Sequence, residues 1–84
     1  MKKILVTVFV LCIGEKFDLF LPIDMKMIDA IGLIQKSVYE LSNEEYIIKP
    51  DKNVILYDSN GKVINTNNII KFSGLKNGSH ILLV

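Results

Sequence analysis

The sequence predicts one α+β domain in which a mixed sheet of four to five strands packs against a single helix. Only one segment, residues 24–41, has the apolar periodicity of an amphipathic helix. Several short apolar segments, separated by turn-forming residues, have the composition of β-strands. Because 84 residues form about one small hydrophobic core, we assign the whole chain, residues 1–84, to one domain.

The predicted helix has one apolar face and one polar face. The apolar face consists of Met27, Ile31, Ile34, Val38 and Leu41, at spacings of four, three, four and three residues. The opposite face carries Lys26, Asp29, Lys36 and Glu40. Asp24 is the expected N-cap, because its carboxylate can accept the free amide protons of the first turn. A small sheet needs a helix to cover it, so we expect the apolar face to lie in the core rather than against a partner.

The first two strands are predicted to form a hairpin. Residues 4–13 are apolar and β-branched, with valines at positions 6, 8 and 10, and a turn at residues 14–16 leads to an alternating second strand at residues 17–21. Lys2 and Lys3 before an apolar run are also typical of a secretory signal peptide. We favour the strand because no small-x-small cleavage site follows, but the signal peptide remains an alternative.

The C-terminal half supplies the other strands. Residues 44–53 are predicted to form a loop, residues 54–57 a third strand, and residues 62–64 a short fourth strand after an Asn-Gly turn. Residues 65–74 contain a helical turn, and residues 81–84 form the last strand. The order strand, strand, helix, strand, short strand, strand is that of a β-grasp, or ubiquitin-like, roll, with the first and last strands parallel neighbours.

Composition disfavours several classes of function. All ten basic residues are lysines spread along the sequence, and the net charge is only +1, so we do not expect nucleic-acid binding. The apolar N-terminal run is too short to insert across a membrane. A single cysteine, Cys12, excludes an internal disulfide and a cysteine-based metal site. We expect Cys12 to be a buried, inert thiol.

No residue pattern predicts catalysis or a cofactor. Cys12 and His80 lie in strands that are expected to be neighbours, but the sequence provides no orienting group or oxyanion hole for them. Residues 58–61 are similar to the start of a calcium-binding loop and lack the remaining ligands. No phosphate-binding glycine pattern is present. We therefore expect a protein without enzymatic activity or cofactor.

Strand alternation predicts an apolar outer sheet face that binds a protein partner. If Val6 and Val8 face the helix, the odd-numbered residues of the first strand face away from it. Along every other strand, side chains are likewise expected to alternate between the inner and the outer face of the sheet. With Ile55 and Tyr57 assigned to the core, the predicted outer face comprises Leu5, Phe9, Phe20, Leu56, His80 and Leu82. A contiguous exposed apolar surface usually marks an interaction site. A shift of one residue in register would exchange the two faces.

Three stretches of the sequence carry a family resemblance. They are Phe-Asp-Leu-Phe-Leu at residues 17–21, the helix register through Ile28-Asp29 and Gln35-Lys36-Ser37, and residues 75–83. The chain resembles ubiquitin-like proteins over its whole length, and more narrowly the YukD-like ubiquitin-like proteins of Gram-positive type VII secretion loci. The resemblance implies a cytoplasmic, non-enzymatic accessory or regulatory component that binds proteins of the secretion apparatus, with a location in the cytoplasm or beside the membrane secretion complex. A homodimer through the outer sheet face is a variant of this hypothesis.

The alternative function within the same fold is that of a modifier or sulfur carrier activated at its C-terminus. Ubiquitin and the related sulfur carriers end in a flexible Gly-Gly tail that enters the activating enzyme. Here the sequence ends at Val84, in or just after the last predicted strand. We therefore expect neither conjugation nor sulfur transfer.

Overall fold

A mixed four-stranded sheet packs on one helix in the computed structural model, which describes residues 2–84; Met1, the first residue of the predicted domain, lies outside the described residues. The elements are β1 (Lys3–Val10), β2 (Glu15–Pro22), α1 (Met27–Leu41), β3 (Leu56–Tyr57) and β4 (Ser79–Leu83). Short 3₁₀ helices cover Asp51–Asn53 and Ile70–Phe72. The sheet order is β2-β1-β4-β3, with β1 parallel to β4 and the other pairs antiparallel. The predicted hairpin and the parallel pairing of the first and last strands are confirmed.

The core lies between α1 and the inner face of the sheet. Met27, Ile31, Ile34 and Val38 are buried as predicted. Leu41 was predicted to join them, but it is 54% exposed, and Ser42 is buried instead. At about 100° per residue, the position four residues after Val38, which is Ser42, lies closer to the buried side of the helix than the position three residues after it, which is Leu41. The last turn therefore directs Ser42 inward and Leu41 toward solvent.

The start of the helix differs from the prediction. Lys26, and not Asp24, is the N-cap residue, and no side chain caps the first turn. The amide of Met27 instead donates to the carbonyl of Asn68 over 2.8 Å. The Asp24 carboxylate lies 3.0 Å from the ammonium group of Lys71. A distant segment, residues 68–71, thus provides the contact that a local cap provides in other helices.

The fourth predicted strand is reduced to an isolated bridge. Val63 pairs with Tyr57, and the amide of Ile64 donates to the Leu56 carbonyl over 2.8 Å. The turn at residues 58–61 forms, but the positive φ expected for Asn60 and Gly61 is found only at Gly61, at +80°. The chain therefore returns beside β3 for a single residue pair, too short for a strand.

A buried glutamine fastens the loop after α1 to the helix. The side-chain amide of Gln35 donates to the Lys49 carbonyl and to Asp51 Oδ1, each over 2.9 Å. Its oxygen accepts bonds from the Tyr46 hydroxyl at 2.7 Å and from the Lys49 amide at 2.9 Å. Because Gln35 is only 1% exposed, these four bonds satisfy a polar group that would otherwise be costly to bury.

Tyr46 gives this region a pH dependence. Burial raises the pKa of the Tyr46 phenol above 10.0, and the nearby Cys12 and Asp51 raise it further. The folded protein therefore holds this proton more tightly than the unfolded chain. We expect Tyr46 to contribute stability below about pH 10 that is lost as the pH rises through the folded-state pKa.

Urea unfolding at a series of pH values from about 9 to 11 tests this effect, with Tyr46→Phe as the comparison. The free energy of unfolding of the wild type is expected to fall more steeply with pH than that of Tyr46→Phe. Parallel pH dependences of the two proteins would contradict the assignment. Both proteins share the same lysines, so lysine titration cancels in the difference.

Candidate protein-interaction surface

The outer face of the sheet is the candidate site, and the strand register defines it. Val6, Val8 and Val10 of β1 are fully buried, so the alternating residues of β1 face away from α1. Directly paired residues share a face of the sheet. Phe20 of β2 pairs with Leu5, and Leu82 of β4 pairs with Phe9. The outer face can therefore be followed across all four strands.

The structure places five of the six predicted residues on this face. They are Leu5, Phe9, Phe20, His80 and Leu82. Phe20 is 63% exposed and His80 is also exposed, whereas the other three are half-buried. The alternation of β1, β2 and β4 was thus predicted in the correct phase.

The sixth residue, Leu56, was assigned to the wrong face. Leu56 is 2% exposed and pairs with Leu83, whose side chain lies in the core. Ile55, which was predicted to face inward, is 41% exposed. Tyr57 pairs with Leu82 and therefore shares the outer face, contrary to the prediction. Residues 54–57 are all apolar, so the sequence has no local alternation to set their phase, and the pairing with β4 sets it instead.

The corrected register reveals a continuous outer apolar patch. Its members are Phe9, Ile55, Tyr57, Val63, Leu82 and Val84. Phe9, Leu82, Tyr57 and Val63 follow one another through successive strand pairs. Ile55 and Val84 exchange two backbone hydrogen bonds of 3.2 and 3.0 Å beside this row. The most exposed member is Val63, at 64%.

A polar band separates the outer apolar patch from the other predicted residues. The Thr7 hydroxyl donates to Asp18 Oδ1 over 2.8 Å, and Thr7 pairs with His80 on its other side. Leu5 and Phe20 lie beyond this band, toward the start of β1. The predicted face is therefore two apolar areas, and the larger one extends over β3.

Four members of the patch lie outside the predicted face, and two of them, Ile55 and Tyr57, depend on the phase of β3. Ile55 and Tyr57 have the opposite phase to the one predicted, and Val84 pairs with Ile55. Val63 could have been found from the sequence, because the Asn60-Gly61 turn returns the chain beside Tyr57.

Cys12 and His80, for which the sequence provides no orienting group, do not lie together in the structure. Cys12 lies in the turn after β1 and is exposed, which corrects the expectation of a buried thiol. The buried strand ends at Val10, and the turn then directs Cys12 to solvent. His80 pairs with Thr7, five residues before Cys12 along the chain. The extended part of this stretch, from Thr7 to Val10, already spans about 10 Å at about 3.3 Å per residue, beyond hydrogen-bond distance.

Neither a metal-ligand cluster nor a membrane-spanning helix is found within residues 2–84. No group of three or more His, Cys, Asp or Glu side chains among them is arranged to hold a metal ion. In the same range, no helix has both the length and the apolar character needed to cross a membrane.

An open groove lies on the opposite side of the molecule, at the end of α1. It has a volume of about 770 Å³ and is lined by Lys36, Tyr39, Glu40, Asn43, Glu44 and Ile48. The Tyr39 hydroxyl donates to Glu44 Oε1 over 3.1 Å, and this bond, with the charge of Glu44, raises the pKa of Tyr39. The lining combines charged side chains with apolar surface from Tyr39 and Ile48.

Comparison with known proteins identifies the fold. No protein-family profile and no curated protein sequence matches the chain. Solved structures do match it, and they include ubiquitin-like domains. The ubiquitin-like domain of Dsk2 from Plasmodium falciparum gives a TM-score of 0.68 at 15% identity, covering 99% of this chain and 100% of that one. The chain thus has the ubiquitin-like β-grasp fold predicted from its element order.

Two other structures are similar over the full length of the chain. One, described as "Molecular Mimicry of SUMO promotes DNA repair", gives a TM-score of 0.73 at 17% identity, and the match covers 92% of that chain. The other is the ubiquitin-like domain of an Arabidopsis thaliana protein, with a TM-score of 0.66 at 19% identity and 78% coverage. At such identities the similarity defines the fold alone.

Proposed function

We propose that the protein is an interaction domain that binds a protein partner through the outer apolar patch. The observation that carries this proposal is the continuity of the patch across β1, β4, β3 and the bridged Val63. Residues that only stabilise the sheet need not be apolar on its solvent side, whereas an extended apolar surface is typical of an interface. Aromatic residues, here Phe9 and Tyr57, are enriched at interfaces.

The partner we propose is a protein component of a type VII secretion apparatus. This rests on the resemblance of residues 17–21, 28–37 and 75–83 to YukD-like proteins. In this role the protein is a cytoplasmic accessory or regulatory component, placed beside the membrane complex by its partner. Self-association through the same patch is the variant in which the partner is a second copy of the chain.

Affinity capture from native lysate tests the proposal with a pair of matched variants. Ile55→Asp/Val63→Asp introduces two charges into the patch, at residues 41% and 64% exposed. Ile28→Asp/Leu41→Asp introduces the same charges on α1, at residues 42% and 54% exposed. We expect the wild type and the α1 variant to recover secretion components. The amount recovered by the patch variant is expected to be at least about tenfold lower, because an unpaired charge buried in the interface is costly.

Circular dichroism of all three proteins provides the control for folding. Equal recovery by the two variants would remove the patch from the proposal. Recovery of other proteins through an intact patch would contradict the secretion assignment but retain the interface. Recovery of the protein's own chain alone, with a loss of dimer for the patch variant in sedimentation, would identify the homodimer.

A further inference from the structure

Lysines that are far apart in the sequence lie together at one end of the folded molecule. Five of the ten lysines are found where β1 begins, β2 ends and α1 begins. They are Lys2, Lys3, Lys26, Lys71 and Lys76, and all five are exposed. We call this region the lysine end.

Backbone hydrogen bonds fix the lysine end. The amide of Ile23 donates to the Lys2 carbonyl over 3.1 Å, and the Ile23 carbonyl accepts from the Lys71 amide over 2.9 Å. Lys26 is bridged to Ile69, in the segment that precedes Lys71. These contacts hold three lysines from separate parts of the sequence in adjacent backbone positions.

The turn before β4 adds the fourth contribution. The Leu5 amide donates to Asn77 Oδ1 over 2.7 Å, and the Gly78 amide donates to the Leu5 carbonyl over 2.7 Å. Lys76, the residue before Asn77, therefore lies near Leu5 in the first half of β1. The cluster is a product of the fold and is absent from the linear sequence.

Charge is segregated as a result. Three acidic residues accompany the five lysines, namely Asp24, Asp29 and Asp58, the last of which lines the same surface pocket as Lys76. The lysine end therefore has a net charge of +2. The other five lysines are outweighed by six acidic residues, so the remainder carries −1. Asp24 is already paired with Lys71 at 3.0 Å. The overall charge of +1 conceals this asymmetry.

Two exposed aromatic side chains belong to the same region. Phe20 is 63% exposed and pairs with Leu5 near the end of β2. Phe72 is 70% exposed, and the Lys71 ammonium group lies 5.3 Å from the centre of its ring. Lysines beside exposed phenylalanines are the combination found on surfaces that rest on a bilayer, where the rings enter the headgroup region and the ammonium groups meet anionic lipids.

We propose that the lysine end binds peripherally to the surface of an anionic phospholipid bilayer. Lysine is depleted at protein–protein interfaces, so a cluster of five exposed lysines beside two exposed phenylalanines favours a lipid surface over an acidic protein. The outer apolar patch lies beyond the Thr7–Asp18 bond and extends to Val84 at the opposite end of the sheet. Membrane contact through the lysine end thus leaves the patch free to bind a protein. The two proposals can therefore be tested independently.

Flotation of the full chain with lipid vesicles tests this proposal. We expect binding to vesicles of phosphatidylcholine with about one-third phosphatidylglycerol, little binding to pure phosphatidylcholine, and release as salt is raised, because the attraction is electrostatic. Each lysine near such a surface contributes roughly fivefold to partitioning. Lys3→Glu/Lys26→Glu/Lys76→Glu is therefore expected to bind at least about a hundredfold more weakly.

A second triple variant has the same net charge and serves as the matched control. Lys16→Glu/Lys36→Glu/Lys52→Glu changes three exposed lysines outside the lysine end and is expected to stay within a few-fold of wild type. Equal losses in the two triple variants would overturn the proposal, as would the absence of binding by the wild type. Binding of polyglutamate peptide without vesicle binding would also overturn it, in favour of an acidic protein partner.

Discussion

Replacing Leu56 with Asp is expected to unfold the protein, whereas the same change at the adjacent Ile55 is expected to leave it folded. Leu56 is 2% exposed and pairs with Leu83 in the core, while Ile55 is 41% exposed on the outer face. Removing a buried leucine costs about 2–5 kcal/mol, and an unpaired carboxylate in its place costs several more. A domain of this size has roughly 4–12 kcal/mol of stability in total.

Far-ultraviolet circular dichroism and urea unfolding of the two single variants check this prediction. We expect Leu56→Asp to lose the cooperative unfolding transition. The free energy of unfolding of Ile55→Asp is expected to lie within about 1 kcal/mol of that of the wild type. The reverse result, a stable Leu56→Asp and an unfolded Ile55→Asp, would show that β3 has the opposite phase. That outcome would also dismantle the outer apolar patch, whose β3 members depend on this phase.

Replacing Gln35 with Met is expected to destabilise the protein by about 3 kcal/mol, although methionine has a similar volume. The change removes four hydrogen bonds and leaves the Tyr46 hydroxyl and the Lys49 amide without an acceptor. Each unsatisfied buried group costs about 1–3 kcal/mol. The loop over residues 42–53 is expected to become more mobile as well, because Gln35 joins it to α1.

Lys36→Met is the control for this substitution, since Lys36 is exposed and adjacent in sequence. Urea unfolding gives the change in free energy for both variants, and amide hydrogen exchange reports on the loop. A destabilisation below about 0.5 kcal/mol for Gln35→Met would show that the network adds nothing to stability. Unchanged exchange at residues 46–51 would contradict the fastening role.

The parts of the fold with a clear apolar period were predictable from the sequence. The register of α1 over Met27, Ile31 and Ile34, and the alternation of β1, β2 and β4, follow from local periods of 3.6 and 2. Gln35 could also have been found, because it lies four residues after Ile31 and three before Val38 on the buried face. A polar residue at such a position predicts a buried hydrogen-bonding partner.

The phase of β3 and the start of α1 could not be predicted locally. Residues 54–57 are uniformly apolar, and only the pairing of Leu56 with Leu83 decides which of them are buried. Similarly, Asp24 has the residue type of an N-cap, but the carbonyl of Asn68 receives the Met27 amide. Both features depend on segments more than 25 residues away in the sequence.

The candidate surfaces show the same limit. The predicted outer face was correct for Leu5, Phe9, Phe20, His80 and Leu82, and wrong for Leu56. The outer apolar patch requires the β3 register, and the lysine end requires the contacts of Ile23 with Lys2 and Lys71. A count of lysines along the sequence gives the net charge but not its distribution over the folded surface.

Photo-cross-linking in native cells is the most direct test of the outer apolar patch as the binding surface. A benzophenone amino acid is placed at Val63 in the patch or, as the comparison, at Ile28 on α1, residues that are 64% and 42% exposed. We predict that the probe at Val63 captures a specific protein, identified by mass spectrometry, and that the probe at Ile28 does not. Capture of the same protein from Ile28 alone would place the interface on the helix and contradict the proposed function of the sheet face.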